Sequence, residues 1–356
     1  MVKQFVFKTV ALLLGLALAI TLTEILLRID GYQPWVYIRQ DAKEPIMSEP
    51  DAVLGWKNKQ GTYTVPPYHP AGQAIKITLL EKGRRSTGEN SKANSEGEFV
   101  IVGDSFTHGA AISDSETYAW KLQKKFPFFQ VLNYGTPGYG SYQSLLLLER
   151  ELPHLARPKF VLYGFIEHHE VRNVALGSWL EGLSLFSRRS YVAVPFATFD
   201  PQKGLIRHPP EHYLSLPFRE SFAVIPLVAR AYVNLKTNQR SLQKRLVTEQ
   251  ILLQMNRVSK SRDATFIIVL LGLNDEARQH YMNFLRVNQI HAIDCVYNLT
   301  DELKVPGEGH PNGKMNALWT ECIAASLNNQ FGEIGTHRRN GFNAPSTTTS
   351  KSGGGH

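Results

Sequence analysis

Cysteine is nearly missing from this chain, with only Cys295 and Cys322 among 356 residues. That excludes a small disulfide-stapled scaffold, and two residues so far apart make no zinc ligand set. Also missing is any basic run interleaved with aromatics. Lys plus Arg exceed Asp plus Glu by 39 − 31 = 8, but the surplus is scattered, as on a solvated basic surface, and no nucleic-acid partner is expected. Metal spacing is equally thin. His168 and His169, flanked by Glu167 and Glu170, would point apart on extended backbone, so neither a metal nor another cofactor is expected. The tail, 331–356, ends Ser-Thr-Thr-Thr-Ser-Lys-Ser-Gly-Gly-Gly-His and lacks the apolar residues that would order it. What is present is 43% hydrophobic residues, enough for a sizeable core in one large domain or two small ones.

From Val10 to Leu18 the chain lacks a polar face. Phe5 to Leu27 carries no charge apart from Lys8 and Glu24 and follows Lys3, which is about the length a bilayer core requires. A cleaved signal peptide would use a small-residue site such as Ala17-Leu18-Ala19, yet the apolar pattern runs on through Ile20, Leu22, Ile25, Leu26 and Leu27. Residues 1–30 are therefore read as an uncleaved, single-pass membrane anchor, with secretion after cleavage as the alternative. Lys3 and Lys8 predict a cytoplasmic amino end and export of everything after Arg28, to the periplasm or cell exterior. In an exported chain Cys295 and Cys322 are a candidate disulfide, with two buried free thiols as the alternative.

Beyond the anchor, 31–97 is punctuated by prolines and holds two alternating stretches, Gly61–Val65 and Ala74–Leu80, which read as a β-rich extension ending in a polar loop. From 98 to 330 strand-like and helix-like segments alternate. Strands are expected near Phe99–Val102, Val131–Tyr134, Phe160–Phe165, Phe266–Leu271 and Ala292–Tyr297. Helices are expected near Tyr118–Phe126, Tyr142–Leu155, Leu242–Val258, Glu276–Asn288 and Met315–Leu327. Such alternation implies a parallel sheet with helices on both faces. The interruption at about 170–238 is too long for a simple connection and contains the apolar Ser221–Tyr232, which suggests a cap over the site.

The chemistry begins where the β-branched run Val100-Ile101-Val102 breaks into Gly103-Asp104-Ser105. A buried parallel strand that stops this way delivers a side chain to the carboxyl edge of its sheet, where α/β proteins place their sites. Ser105 is a candidate nucleophile, and a serine hydroxyl needs a base, itself oriented by a carboxylate. Val305-Pro-Gly-Glu-Gly-His-Pro-Asn312 lies between the last expected strand and helix, which would bring His310 to the same edge with Glu308 two residues before it.

Gly103-Asp104-Ser105-Phe106-Thr107 together with Glu308-Gly309-His310-Pro311-Asn312 resembles the SGNH/GDSL hydrolase family over about Glu98–Leu327. The resemblance implies a three-layer α/β/α sandwich around a five-stranded parallel sheet, flavodoxin-like, and an oxyanion hole made by the amides of Ser105 and Gly138, the latter in Asn133-Tyr-Gly-Thr-Pro-Gly138. Two departures stand out. The family's third motif, Gly-x-Asn-Asp, is replaced by a strand end running Ile166-Glu167-His168-His169-Glu170-Val171-Arg172-Asn173, so His168 is the candidate substitute donor and Asn173 the alternative, with His169 expected to point elsewhere. The family's usual Asp-x-x-His gives way to Glu308-x-His310, a spacing similar to that of the exported alginate O-acetyltransferases, with Asp301 and Asp294 as reserve acids.

Each residue also has a plainer reading. Ser105 fits a helix N-cap, His310 a satisfied loop histidine and Glu308 a solvated one; Asp104 is read as a loop-orienting acceptor. The function that follows is a serine ester hydrolase or O-acyltransferase working through an acyl-Ser105. Its expected partners are an ester-bearing substrate, either O-acyl groups of envelope or secreted polysaccharide or a small acyl ester, and the membrane held by the N-terminal helix. A non-catalytic carbohydrate-binding or assembly module on a degenerate fold is the rival.

Overall fold

The computed structural model describes residues 2–37, 45–88, 95–186 and 193–332; the expected tail lies outside them beyond 332. The chain opens with a 28-residue helix, α1 (Val2–Ile29), long and apolar enough to cross a membrane. The extension supplies two antiparallel hairpins, β1 (Ser48–Asp51) with β2 (Gly55–Asn58) and β3 (Gly61–Val65) with β4 (Ile75–Leu79). The second hairpin matches the two alternating stretches of the sequence, whereas the first does not announce itself, because its Ser-Glu-Pro-Asp strand has no apolar alternation.

The core follows as β5 (Gly97–Val102), α2 (Ser105–His108), α3 (Tyr118–Lys125), β6 (Phe129–Asn133), α4 (Ser141–Glu151), β7 (Pro158–Ile166) and α5 (His169–Asn173). The insertion adds α6 (Gly177–Phe186), a hairpin of β8 (Val194–Asp200) with β9 (Gly204–Glu211), and α7 (Val224–Ser241). The core then resumes with α8 (Lys244–Lys260), β10 (Thr265–Gly272), α9 (Asp275–Val287), β11 (His291–Asp294) and α10 (Gly313–Phe331). The last strand stops at Asp294, short of the expected Tyr297: the Cys295 amide still donates to the Leu270 carbonyl, but the Val296 amide turns to the Asp294 carboxylate at 3.3 Å.

Five parallel strands pair in the order β11-β10-β7-β5-β6, the α/β/α fold expected. Alternation along β5 explains the layers: Val100 and Val102 pack with α4, α8 and α9, whereas Phe99 and Ile101 face α3 and α10. Read from the β6 edge the order is flavodoxin-like, so strand order reverses between β5 and β7, and the crevice outside their carboxyl ends is where such sheets bind ligands. The extension covers the exposed edge of β6, with the Arg85 amide donating to the Asn133 carbonyl at 2.7 Å.

Candidate active site

Gly103 ends β5 with φ +154°, and a Cβ there would come within 2.3 Å of Thr107 Oγ1; only glycine makes this turn. Asp104 then caps α2, its carboxylate accepting from the Phe106 amide at 2.9 Å. Ser105 is the first residue of α2, so its own amide lies in the turn that has no intrahelical acceptor. Gly138, with φ +83° and Trp56 and Trp179 beside it, lies in the loop after β6. Asn133 ties that loop to α2 by donating to Thr107 O at 3.0 Å and accepting from the Gly135 amide at 2.9 Å.

The histidine arrives from the other end of the sheet. After β11 the chain forms a tight loop in which Gly307 and Gly309 take φ of +78° and +95°, and Asn312 closes it by capping α10. His310 Nε2 lies 2.9 Å from Ser105 Oγ, and His310 Nδ1 lies 2.7 Å from Glu308 Oε1. Glu308 also accepts the His310 backbone amide through its other oxygen at 2.8 Å. One carboxylate thus grips the same histidine by ring and backbone, which a Glu-x-His spacing permits. The ring lies edge-on to Phe106, itself stacked on Trp319.

The loop is closed at its base by a disulfide between Cys295, just past β11, and Cys322 in α10. The reserve acids are elsewhere: Asp294 pairs with Arg278 at 2.7 Å, and exposed Asp301 faces Lys304 at 3.4 Å.

After β7 the structure corrects two expectations. Asn173 is fully buried, its amide nitrogen donating to Ser141 Oγ and Thr248 Oγ1 and its oxygen accepting from the Tyr142 amide. Both of its N–H groups are committed, so it has none to offer an oxyanion. His169, expected to point away, is instead buried at the site, with Nδ1 2.6 Å from Tyr163 Oη and Nε2 a long 3.4 Å from Asp104 Oδ2. The turn into α5 replaces the extended backbone on which that expectation rested. His168 is exposed at the N-terminus of α5. Glu167 accepts from Asn274, and Glu170 meets Lys244, Arg245 and the Tyr281 hydroxyl.

Two arginines escaped the sequence reading. Arg172 Nη1 donates to Asp104 Oδ2 and to the Tyr139 carbonyl, each at 2.8 Å, and its guanidinium lies 4.5 Å from the Trp179 ring centre. It therefore joins the turn of Asp104 and Ser105, the loop of Gly138 and the insertion. Arg85, from the extension, is buried beneath α2, donating to the carbonyls of His108, Gly109 and Ile112 and pairing with Asp114 at 3.1 Å. A cation at those carbonyls complements the helix end. An arginine in a polar stretch of sequence carries no signal for either role.

Electrostatics follow the burial. Burial alone would raise the Asp104 carboxyl, but His169, Arg172 and the Phe106 amide outweigh it and hold Asp104 far below the usual carboxylate range. Burial keeps His169 below the ordinary imidazole value, with Asp104 opposing, and so neutral at pH 7. His108 is lowered further, by burial first and then by Arg85 and His310.

No family model matches the sequence, and no curated protein is similar to it. Solved structures are. One is a member of the lipolytic protein G-D-S-L family from Veillonella parvula DSM 2008, 12% identical, with a TM-score of 0.37, covering 64% of this chain and 95% of that one. Another is the psychrotrophic esterase EstA from Pseudoalteromonas sp., also 12% identical, with a TM-score of 0.38, covering 66% and 98%.

Proposed function

We propose that the protein is a serine-dependent ester hydrolase of the SGNH type, and the observation that carries this is the continuous line Ser105–His310–Glu308 with contacts of 2.9 and 2.7 Å. His310 Nε2 takes the Ser105 proton as Oγ attacks the ester carbonyl, while Glu308 stabilises the imidazolium and fixes its tautomer. The amides of Ser105 and Gly138 hold the developing oxyanion, and the exposed His168 ring supplies a third donor in place of the missing asparagine. The intermediate collapses, the leaving alkoxide takes the proton back from His310, and acyl-Ser105 remains. Water or a sugar hydroxyl, deprotonated in turn by His310, then releases the acyl group.

The Glu-x-His spacing favours O-acyl groups on envelope or secreted polysaccharide as the substrate, with transfer to a sugar hydroxyl as the second outcome of the same chemistry. The apolar α1 and the lysines at its amino side support a single-pass anchor with the catalytic body exported.

The test is hydrolysis of a chromogenic acetyl ester by the purified chain, alongside labelling by a fluorophosphonate. Wild type should turn over the ester and carry the label on the Ser105 peptide, and Ser105→Ala should lose both, with a fall in kcat of at least about a thousandfold. Hydrolysis that survives in Ser105→Ala would put the activity elsewhere. Wild type that neither hydrolyses nor labels would favour the binding-module reading.

A further inference from the structure

Among the described residues, the helix α1 is buried against the body of the protein at its last turns, and the manner of contact is specific. Glu24 is its buried residue among the described side chains. The Glu24 carboxylate accepts from the amides of Ala223 and Val224 at 2.9 and 3.0 Å, where α7 begins and its N–H groups lack internal acceptors. One turn later Arg28 pairs with Glu24 at 2.7 Å and donates to the Ser221 carbonyl at 2.8 Å. The helix end thus holds residues 221–224 by three hydrogen bonds, with the Arg28–Glu24 pair bracing the two side chains that make them.

The chain leaving α1 folds back onto the same loop. The Trp35 amide donates to the Arg219 carbonyl at 2.8 Å, the Arg219 guanidinium lies 4.6 Å from the Trp35 ring centre, and Arg219 donates to the Tyr37 hydroxyl. The loop Pro217–Phe222 is consequently clamped between the root of α1 and the segment that follows it. On this clamped loop two aromatics face outward: Phe218 is 70% exposed and Phe222 44% exposed, with ring centres 6.5 Å apart. The turns of α1 around these ties present Ile20, Leu22, Ile25 and Leu26, all exposed.

We infer that the loop Pro217–Phe222 is a second membrane contact, seating Phe218 and Phe222 in the headgroup boundary of the bilayer that α1 crosses. The inference rests on the reading of α1 as an uncleaved anchor. Its occupant is set by position: the polar ties of Glu24 and Arg28 put the loop at the level where the apolar run of α1 ends, which is where aromatic side chains collect at membrane surfaces. The anchor is then no loose tether. Two points of contact fix the height and tilt of the body, and with them the distance of Ser105 from the membrane.

The test uses the full chain in vesicles of phosphatidylethanolamine and phosphatidylglycerol. Nitroxide labels are placed singly at Phe218→Cys, Phe222→Cys, Leu14→Cys within the helix, and Val287→Cys on the exposed end of α9. Power saturation then compares collision with oxygen, which concentrates in lipid, against a nickel chelate, which stays in water. The ratio of oxygen to nickel collisions should be several-fold higher at 218 and 222 than at 287, and higher still at 14. Labels at 218 and 222 that behave like 287, while 14 reports lipid, would overturn the inference and leave the anchor standing. A water-like signal at 14 would overturn the anchor reading and this inference with it.

Discussion

At the level of single residues, His168 and Arg172 call for different tests. His168 is exposed at the N-terminus of α5, and Arg172 is buried in the same helix, bonded to Asp104 and the Tyr139 carbonyl. If His168 meets the oxyanion, His168→Ala should lower kcat at least about tenfold with KM little changed, since the charge it meets develops only in the transition state. Full activity in that variant would remove it from the hole. Arg172→Lys keeps a positive charge beside Asp104 but cannot reproduce a planar fork reaching two acceptors and stacked on Trp179. It should therefore melt within a few degrees of wild type while kcat drops by about tenfold or more, because small misplacements of reacting groups are costly. Free guanidinium should restore part of the loss. Equal melting and equal kcat would show that the clamp positions nothing of consequence.

Elements carry the pH dependence. Helix α2 ends in His108, buried against Arg85, and the turn into α5 carries His169, buried against Tyr163. Both imidazoles are lowered by burial and stay neutral in the fold, whereas in the unfolded chain each takes up a proton near pH 6.5. Between the folded and unfolded values the unfolded state binds more protons, so the stability they contribute is complete above about pH 6.5 and is lost as pH falls below it. Asp104, held ionised to far lower pH, adds no slope in this range. The urea midpoint should fall between pH 7.5 and 5.5, and His108→Gln should flatten that fall while lowering the midpoint at pH 7.5. An unchanged slope in the variant would exclude His108 as its source.

For the whole molecule, the disulfide and the sheet divide the task of bringing His310 to Ser105. Cys295 and Cys322 are 27 residues apart and bracket the loop that carries Glu308 and His310. Closing a loop of that length stabilises the fold by about 3–4 kcal/mol in the chain-entropy account. Cys295→Ala with Cys322→Ala should therefore lower unfolding free energy by roughly that amount in urea titration, and lower kcat more than KM as the His310 loop loosens. A double variant with wild-type stability would mean that α10 packing alone holds the loop.

The sequence by itself determined the layered order of strands and helices, because β-branched runs such as Val100–Val102 and the periodic apolar faces of the helices are local patterns that any fold of this chain must bury. It also marked Ser105, Glu308 and His310, since glycine-flanked breaks at strand ends are local too. Tertiary structure alone decided the rest. Whether Asn173 faces the hole or the α8 hydroxyl of Thr248 depends on a helix seventy-five residues away, and whether His169 points out or under Asp104 depends on the turn its neighbours make. Arg85 and Arg172 look like any surface arginine until folding buries them, for a buried cation persists only where several acceptors converge on it, and that convergence is a property of the assembled loops.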